Sequence, residues 1–281
     1  MAAIAAVPHV RLQLSSRPEN VLLVRQALRG LGEAVALDEI ELNDLSTAVT
    51  EACNNVVTHA YADGGGSLEV EISASGEVLE VLVRDIGIGI GDAAEEPSEE
   101  AVEGGIGLPV MRALANEVSF EEPPEGGTLV RMVFQSAKVA SLELPLDRER
   151  FELSPGEQTE PRDAMSISVG PARLARPVLR RVIAALAARA HFSAERVGET
   201  QRLAEEIVAH LVGSSQRNRL TAGVTVTPRT LDLTVGPLRE GSSVDGLAPF
   251  LEHLAASHEV VRADSAEVLA LQLVEPASPR A

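Results

Sequence analysis

Apolar residues in the first half of the chain recur with two different periods, one in some segments and the other in the segments between them. Alternation of every second residue indicates a strand with one buried face, whereas recurrence every three or four positions indicates an amphipathic helix. The order of these patterns predicts a strand, two helices, a hairpin that turns at Ser75-Gly76, a third helix and a closing strand. In chain order these segments are 10–16, 17–32, 40–61, 67–87, 108–118 and 128–134. Helices separated from a hairpin-rich sheet indicate an α+β fold with a mixed sheet.

The second half of the chain repeats this order of patterns. A strand, two helices, a hairpin, a helix and a strand follow one another between residues 164 and 276, and a shift of about 151 places His210 on His59. The likeness lies in element order and apolar pattern rather than in identical residues. Residues 147–163 are charged, contain two prolines and lack periodicity, which predicts a linker. Because each repeat is large enough to be a domain, we expect a tandem pair of related domains.

Composition and charge exclude several classes of function. The 281 residues are 45 % hydrophobic, enough to fill two cores, and no apolar run is long enough to span a membrane. The net charge of −18 argues against non-specific nucleic-acid binding, since a phosphate backbone requires a basic surface, but it is compatible with a basic protein partner. The single Cys53 excludes an internal disulfide bond and a cysteine-rich zinc site. Because the first residues lack the features of a signal peptide, we expect a soluble cytoplasmic protein.

The second helix carries polar residues in an otherwise apolar stretch, TEACNNVVTHAY at residues 50–61. Glu51 and Asn55 are four positions apart, so they share one face of the helix, whereas Asn54 lies to one side of that face. A carboxylate and an amide oxygen on one face can position a water molecule and a hard cation such as Mg²⁺. The alternative is a polar face turned to solvent, or an asparagine that caps a neighbouring loop.

Three glycine-containing segments follow this helix. In RDIGIGIGD, Asp85 ends an apolar strand, so its carboxylate can accept a hydrogen bond from an exocyclic amine, while the glycines beyond it let a flat ring approach the backbone. In EGGIGLPVM, glycines lead directly into a helix, whose first N–H groups can bind phosphate. In GGTLV, the hydroxyl of Thr128 can bond a base nitrogen directly or through water. Taken singly, each segment is also compatible with an ordinary turn, loop or strand start.

Together and in this order, these segments resemble the GHKL superfamily of ATP-binding domains, which is shared by histidine kinases, gyrase, Hsp90 and MutL. The likeness is greatest to the anti-sigma factor serine kinases of bacterial sporulation and stress responses, for which the opening LSSRPENVLLVR is also typical. It covers roughly residues 8–136. The resemblance implies an α+β two-layer sandwich, the histidine-kinase/Hsp90-like ATPase fold, with nucleotide between the sheet and a mobile lid.

The resemblance implies a role for each residue at the phosphate end of such a site. Asn55 would hold Mg²⁺ at the phosphates of ATP, and Glu51 would act as the general base. Gly105 and Gly107 would cradle the phosphates. The acidic residues 92–103 would form the lid, with the flanking glycines as hinges.

A second group of residues would bind the base. By the same resemblance, Asp85 would receive the adenine amine, and Gly87 and Gly89 would shape the wall of the adenine pocket. Thr128 would support Asp85. No role is assigned to Tyr61, the one tyrosine of the chain.

The resemblance further implies a regulatory switch. A glutamate near the γ-phosphate can remove the proton of an incoming hydroxyl, which gives ATP-dependent phosphorylation of a protein serine or threonine. The chain would bind a sigma factor in one state and phosphorylate an anti-anti-sigma (STAS-type) partner in another. No sensor segment, histidine-bearing helix pair or large additional domain is found, which disfavours a sensor histidine kinase and the gyrase, Hsp90 and MutL types. The alternatives are an ATP-binding regulatory protein that sequesters a partner without kinase activity and, more weakly, a plain ATPase.

The second domain, residues 164–276, departs from this pattern at each position to which the resemblance gives a chemical role. In place of Glu51, Asn55, Asp85, Gly105, Gly107 and Thr128 it has, in that order, Arg202, Glu206, Pro237, Asp245, Leu247 and Val268. We therefore expect a degenerate copy of the same fold that binds no nucleotide. Three roles remain open: a built-in partner that makes an intramolecular pseudo-dimer in place of a homodimer, a docking surface for the sigma factor, or an allosteric influence on the lid.

Overall fold

The computed structural model describes residues 9–61, 65–89, 107–139, 164–242, 244–263 and 266–276. The chain divides into two compact units, Met1–Leu146 and Asp147–Ala281. The lid predicted over 92–103, the linker predicted over 147–163 and Gly105 lie outside the described residues.

The first unit consists of one sheet and three helices. Its elements are β1 (His9–Ser15), α1 (Pro18–Ala34), α2 (Glu39–His59), β2 (Ser67–Ser75), β3 (Val78–Arg84), α3 (Gly107–Leu114), β4 (Glu117–Glu121) and β5 (Leu129–Gln135). The strands lie in the order β4-β5-β3-β2-β1, and each neighbouring pair is antiparallel. The prediction of a mixed sheet is therefore wrong for this unit. Two helices, rather than one, connect β1 to β2, so the chain re-enters the sheet in the opposite direction.

The core of the first unit lies between the helices and one face of the sheet. Apolar residues alternate along β2 and β3 on the face that α1 and α2 cover, as Ile72 and Val81 illustrate. The other face carries charged side chains that pair across strands, including Arg11 with Glu69. This two-layer arrangement confirms the predicted α+β fold class.

Strand β4 corrects the helix predicted over 108–118. Helix α3 ends at Leu114, and Asn116 then joins the sheet, since its N–H donates to the carbonyl oxygen of Val133 (2.8 Å) and its side-chain oxygen accepts from the N–H of Gln135 (2.8 Å). The strand is five residues long at the edge of the sheet. Its short alternating pattern merged with the end of the helical one, so the sequence did not separate them.

The second unit has the same order of elements. Its elements are β6 (Ala164–Gly170), α4 (Ala175–Arg189), α5 (Ala194–Leu211), β7 (Leu220–Thr227), β8 (Thr230–Leu238), α6 (Ala248–Leu254), β9 (Ala255–Ala263) and β10 (Ala266–Val274). The strand order β6-β7-β8-β10-β9 matches the order β1-β2-β3-β5-β4 of the first unit, and these pairs are also antiparallel. The apolar pattern of residues 247–260 predicts a helix, but α6 ends at Leu254 and β9 follows it directly, whereas two residues separate α3 from β4.

The uncovered face of the second sheet has a shallow cavity of about 700 Å³. Its floor consists of small residues on adjacent strands, among them Ser166, Gly223, Thr234 and Ala270. The corresponding face of the first unit is filled instead by paired charged side chains. None of the described helices is long and apolar enough to cross a membrane.

Candidate functional site

Helix α2 holds the first part of the candidate site. Its N-terminus is fixed by Asp38, whose side chain accepts from the N–H groups of Ile40 (3.1 Å) and Glu41 (2.9 Å), and its apolar face is buried. One turn apart on the same side, Glu51 and Asn55 are both partly exposed. Neither side chain has a hydrogen-bond partner among the described residues. Within the described part of the chain, no hydrogen bond of these two side chains would compete with one to a ligand.

Gly107, the first residue of α3, is where these two side chains converge. A Cβ atom at Gly107 would lie 3.2 Å from Oε2 of Glu51 and 3.4 Å from Oδ1 of Asn55. Gly107 is buried, and the absence of a side chain lets the start of α3 approach both polar groups. The first N–H groups of a helix lack partners within the helix and attract anions. A carboxylate, an amide and an anion-attracting helix end thus meet at one place.

Asp85 lies at the end of β3 and is 2 % exposed. Its N–H donates to the carbonyl oxygen of Thr128 (3.0 Å), and its Oδ1 accepts from the N–H of Gly87 (2.8 Å). No other hydrogen bond to this carboxylate is made by the residues that the structure describes. One oxygen of a nearly buried carboxylate is therefore left for a donor on a ligand. Thr128 contacts Asp85 through its backbone carbonyl rather than its hydroxyl.

The turn after Asp85 packs against the C-terminal end of α2. A Cβ atom at Gly87 would lie 2.1 Å from the carbonyl oxygen of Ala60, and the N–H of Ile88 donates to the same oxygen (3.0 Å). Gly89 has a φ of 77°, which favours glycine. Because α2 also carries Glu51 and Asn55, the helix links the two predicted halves of the site.

Gly127 is a structural requirement that the sequence analysis missed. A Cβ atom there would lie 2.1 Å from the carbonyl oxygen of Asp85 and 2.6 Å from Cα of Ile86, and its φ is 82°. Gly127 therefore lets the start of β5 pack directly on the Asp85 turn. The adjacent pair Gly126-Gly127 was the available sign, but only the fold shows what it approaches.

Cys53 lies on α2 between the polar residues, yet it takes no part in the site. The thiol is fully buried, and desolvation raises its pKa to about 12. It is therefore protonated at neutral pH and unreactive. Among the described residues, no group of three His, Cys, Asp or Glu side chains could hold a metal ion without help from a ligand.

The donor set fits a nucleotide bound with a divalent cation. Asn55 and Glu51 offer oxygen atoms of the kind that Mg²⁺ prefers, directly or through water. The start of α3 offers N–H groups to phosphate oxygens, and the gap that a Cβ at Gly107 would fill keeps this approach open. Asp85 offers a carboxylate oxygen to an amine.

Three comparisons with known proteins bear on the family to which the chain belongs. The model of the histidine kinase-like ATPase domain matches residues 14–134. The serine-protein kinase RsbW of Bacillus licheniformis is 30 % identical over 158 residues, which cover 52 % of this chain and 91 % of that protein. RsbW of Bacillus subtilis strain 168 is 32 % identical over 124 residues, or 40 % of this chain and 78 % of that protein. A blue-light-activated histidine kinase of Erythrobacter litoralis is 27 % identical over 36 % of this chain and 32 % of its own, with a TM-score of 0.28, too low to support an argument.

The fold and the matched residues define the class of protein as a histidine kinase-like ATPase. Within that class, the chain belongs to the family of the serine-protein kinases named RsbW. This confirms the resemblance drawn from the four motifs. Membership of the family implies the use of ATP.

Proposed function

We propose that the chain is an anti-sigma-type regulator that binds Mg·ATP in its first unit and phosphorylates a serine or threonine of an anti-anti-sigma partner. The observation that carries the proposal is the convergence of Glu51 and Asn55 on Gly107 at the start of α3. This places a general base, an amide oxygen and an anion-attracting helix end together. A protein that binds ATP without transferring its phosphoryl group requires the start of α3 and Asp85, but it does not require a carboxylate such as Glu51 beside that helix start.

Each residue at the phosphate end has a proposed task. Bound Mg·ATP supplies the phosphoryl group and the cation that disperses its charge. Asn55 holds the cation, and the N–H groups at the start of α3 beside Gly107, with Gly105, orient the phosphates. Glu51 removes the proton of the attacking hydroxyl at its carboxylate, which has no competing partner among the described residues.

The part of the site around Asp85, which is proposed to bind adenine, discriminates among nucleotides. The free oxygen of Asp85 accepts a hydrogen bond from the adenine amine, and because the carboxylate is nearly buried, the correct donor is favoured strongly over a group that cannot donate. Gly87 holds the turn against α2, because a Cβ there would meet the carbonyl oxygen of Ala60, and Gly89, with its φ of 77°, shapes the wall beside the flat ring. Thr128 holds Asp85 through its carbonyl oxygen.

The proposed partners are proteins of the cytoplasm, a sigma factor and its STAS-type antagonist. The net charge of −18 favours encounter with a basic DNA-binding protein. The nucleotide state of the first unit would determine which of the two partners is bound.

The second unit has a different proposed task, because within its described residues no carboxylate and amide converge on a helix start as Glu51 and Asn55 do on Gly107. We assign nucleotide binding to residues 8–136, a linker to 147–163 and a domain that binds no nucleotide to 164–276. In the second unit Leu247 is buried at 2 % exposure in the 3₁₀ turn that precedes α6, and Pro237 lies within β8. Neither offers the polar groups that Gly107 and Asp85 bring to the first unit.

The substitution Glu51→Gln tests the catalytic part of this proposal. It keeps the size and hydrogen-bonding capacity of the side chain but removes the base, so we expect ATP binding within about twofold of wild type and a phosphorylation rate lower by at least about 100-fold. The measurement uses Mg·[γ-³²P]ATP with protein captured from the native cytoplasm, followed by mapping of the labelled serine or threonine.

The matched control is the same change of residue, Glu206→Gln, on α5 of the second unit at the position that corresponds to Asn55, for which we expect no change. If Glu51→Gln left both partner phosphorylation and regulation intact, the kinase mechanism would be wrong and sequestration without chemistry would be the better account. Steady ATP hydrolysis without any protein acceptor would indicate a plain ATPase.

A further inference from the structure

The hydroxyl group of Tyr61 is fully engaged by backbone groups from two separate segments. It donates to the carbonyl oxygen of Ser67 (2.7 Å) and accepts from the N–H groups of Ser67 and Ile86, both at 3.1 Å. A phenolic hydroxyl has one proton to donate and accepts through its oxygen, so these three contacts satisfy it. Ser67 begins β2, and Ile86 directly follows Asp85.

The ring of Tyr61 is also fixed in place. A Cβ atom at Gly66 would lie 2.0 to 2.4 Å from three ring carbon atoms, so the ring packs directly on the backbone of Gly66. The carbonyl oxygen of Gly66 in turn accepts from the N–H of Ser16 (2.7 Å). The ring therefore lies between the end of α2 and the start of β2, and the direction of the hydroxyl is set by this packing.

The contact of Tyr61 with Ile86 affects Asp85 because it holds the one peptide of this turn that lies between two other hydrogen bonds of Asp85. The N–H of Asp85 is bonded to Thr128, and its carboxylate is bonded to the N–H of Gly87. Between these two supports, the peptide that joins Asp85 to Ile86 is held by Tyr61. The orientation of that peptide restricts where the carboxylate of Asp85 can point, because the rotamers open to a side chain depend on the backbone torsions of its residue.

We infer that Tyr61 is a positioning residue for base recognition: by binding the N–H of Ile86 it holds the Asp85 carboxylate in the direction of the nucleotide base. The inference rests on the proposed function, in which Asp85 receives an amine. It adds a determinant of base selectivity that lies outside the glycine motifs. It also connects base recognition to α2, which carries the residues proposed for the phosphate end.

The substitution Tyr61→Phe separates positioning from general stability. The ring and its packing on Gly66 are kept, and only the hydroxyl is lost. The N–H of Ile86 then has no acceptor from Tyr61, and the Asp85 turn gains freedom. A less directed carboxylate distinguishes poorly between a base with an amine and a base without one, whereas a merely structural loss weakens binding of both bases alike.

The probes are ATP and inosine triphosphate, which has a carbonyl oxygen where ATP has the amine. For the full-length wild-type chain with Mg²⁺, we expect ATP to bind at least about tenfold more tightly than inosine triphosphate. In Tyr61→Phe the ratio of the two Kd values is expected to fall at least about threefold, with only a modest fall in melting temperature, because water can reach the groups that lose the hydroxyl. Ser67→Ala removes only the longer contact of the hydroxyl with Oγ of Ser67 (3.4 Å) and keeps its backbone partners at Ser67 and Ile86, so it should leave the ratio unchanged.

A second measurement requires no substitution. The chain has one tyrosine and no tryptophan, so its intrinsic fluorescence reports on Tyr61 alone. At saturation, and after correction for nucleotide absorption, ATP should change this fluorescence more than inosine triphosphate does, because only ATP engages Asp85 and thereby the turn that Tyr61 holds.

The outcomes distinguish this inference from the proposed function. If wild type discriminates between the two nucleotides but Tyr61→Phe keeps the same ratio, the role of Tyr61 is overturned and that of Asp85 stands. An equal weakening of both nucleotides in Tyr61→Phe, or an equal fluorescence response to both in wild type, likewise overturns it. If wild type does not discriminate at all, the amine contact of Asp85 fails, and the inference fails with it.

Discussion

Single residues at the proposed phosphate end of the site act through the space they leave as much as through their side chains. Gly107 is the strongest case, since a Cβ there would lie within 3.4 Å of both Glu51 and Asn55. Such contacts are tighter than most that a Cβ atom makes, so either the two polar side chains or the start of α3 must shift. The chemistry proposed for the site requires both to stay in place.

We therefore predict that Gly107→Ala weakens binding of Mg·ATP by about tenfold or more, while the fold is retained because only side-chain ends must move. Isothermal titration of ATP into the variant measures the first quantity and thermal unfolding the second. Gly65→Ala is the control, because its added Cβ would have no neighbour within 4 Å. Equal affinities for wild type and Gly107→Ala would show that phosphates do not approach this helix end.

At this scale, the sequence predicted which residues have suitable chemistry but not how they meet. Glu51 and Asn55 follow from helical spacing, and the structure does place them one turn apart on the same side of α2. The contact of Gly127 with Asp85 and that of Tyr61 with Ile86 join residues 42 and 25 positions apart in the chain. No local pattern contains such contacts, because they depend on how β3, β5 and the end of α2 pack together.

The elements of the first unit show where periodicity is sufficient. Helix α2 was predicted over 40–61 and spans Glu39–His59, and the hairpin turns at Gly76, which has a φ of 59°. Strands β4 and β9 were missed, because each follows a short helix within at most two residues and continues its apolar pattern. Sequence periodicity thus fails where two short elements adjoin without a turn signal.

The N-terminus of α2 gives a prediction at the scale of one element. Asp38 caps the helix, and its pKa is lowered by the hydrogen bond from the N–H of Glu41 and then by Lys138, which lies 3.0 Å away. A lowered carboxyl pKa stabilises the folded state above the unfolded value, here 3.8, and this stabilisation is lost as pH falls through that value and below.

Asp38→Ala should therefore lower the urea midpoint at pH 7, and Asp38→Asn should lower it less, since asparagine is an equally good cap but carries no charge. The advantage of wild type over Asp38→Asn should shrink as pH falls below 3.8. Urea unfolding followed by circular dichroism at several pH values gives the midpoint for each of the three proteins. If wild type and Asp38→Ala had the same midpoint at pH 7, the cap would contribute nothing to the stability of α2.

At the scale of the whole molecule, two units with one topology differ in what they offer a ligand. The first brings a carboxylate, an amide and a helix N-terminus together around Gly107, whereas the second has the buried Leu247 in the turn before its third helix. The duplication was visible in the sequence as a repeated order of patterns. The different residues at the corresponding positions were visible too, because they depend on residue identity alone.

The chain should accordingly bind one ATP rather than two. Titration calorimetry of the full chain is expected to give one site per chain, and Arg202→Ala in the second unit is expected to leave the affinity unchanged. Two sites per chain would contradict the assignment of the second unit as a domain that binds no nucleotide.

The most direct test of the whole account is the binding of ATP by the full chain compared with Asp85→Asn, measured by calorimetry in the presence of Mg²⁺. The account predicts heat of binding for wild type and a loss of at least about tenfold in affinity for Asp85→Asn. With its oxygen bonded to the N–H of Gly87, the asparagine would turn its N–H₂ group toward the adenine amine, and two donors cannot bond each other. No heat with wild type, or equal affinity in the two proteins, would contradict the claim that a purine nucleotide binds beside Asp85.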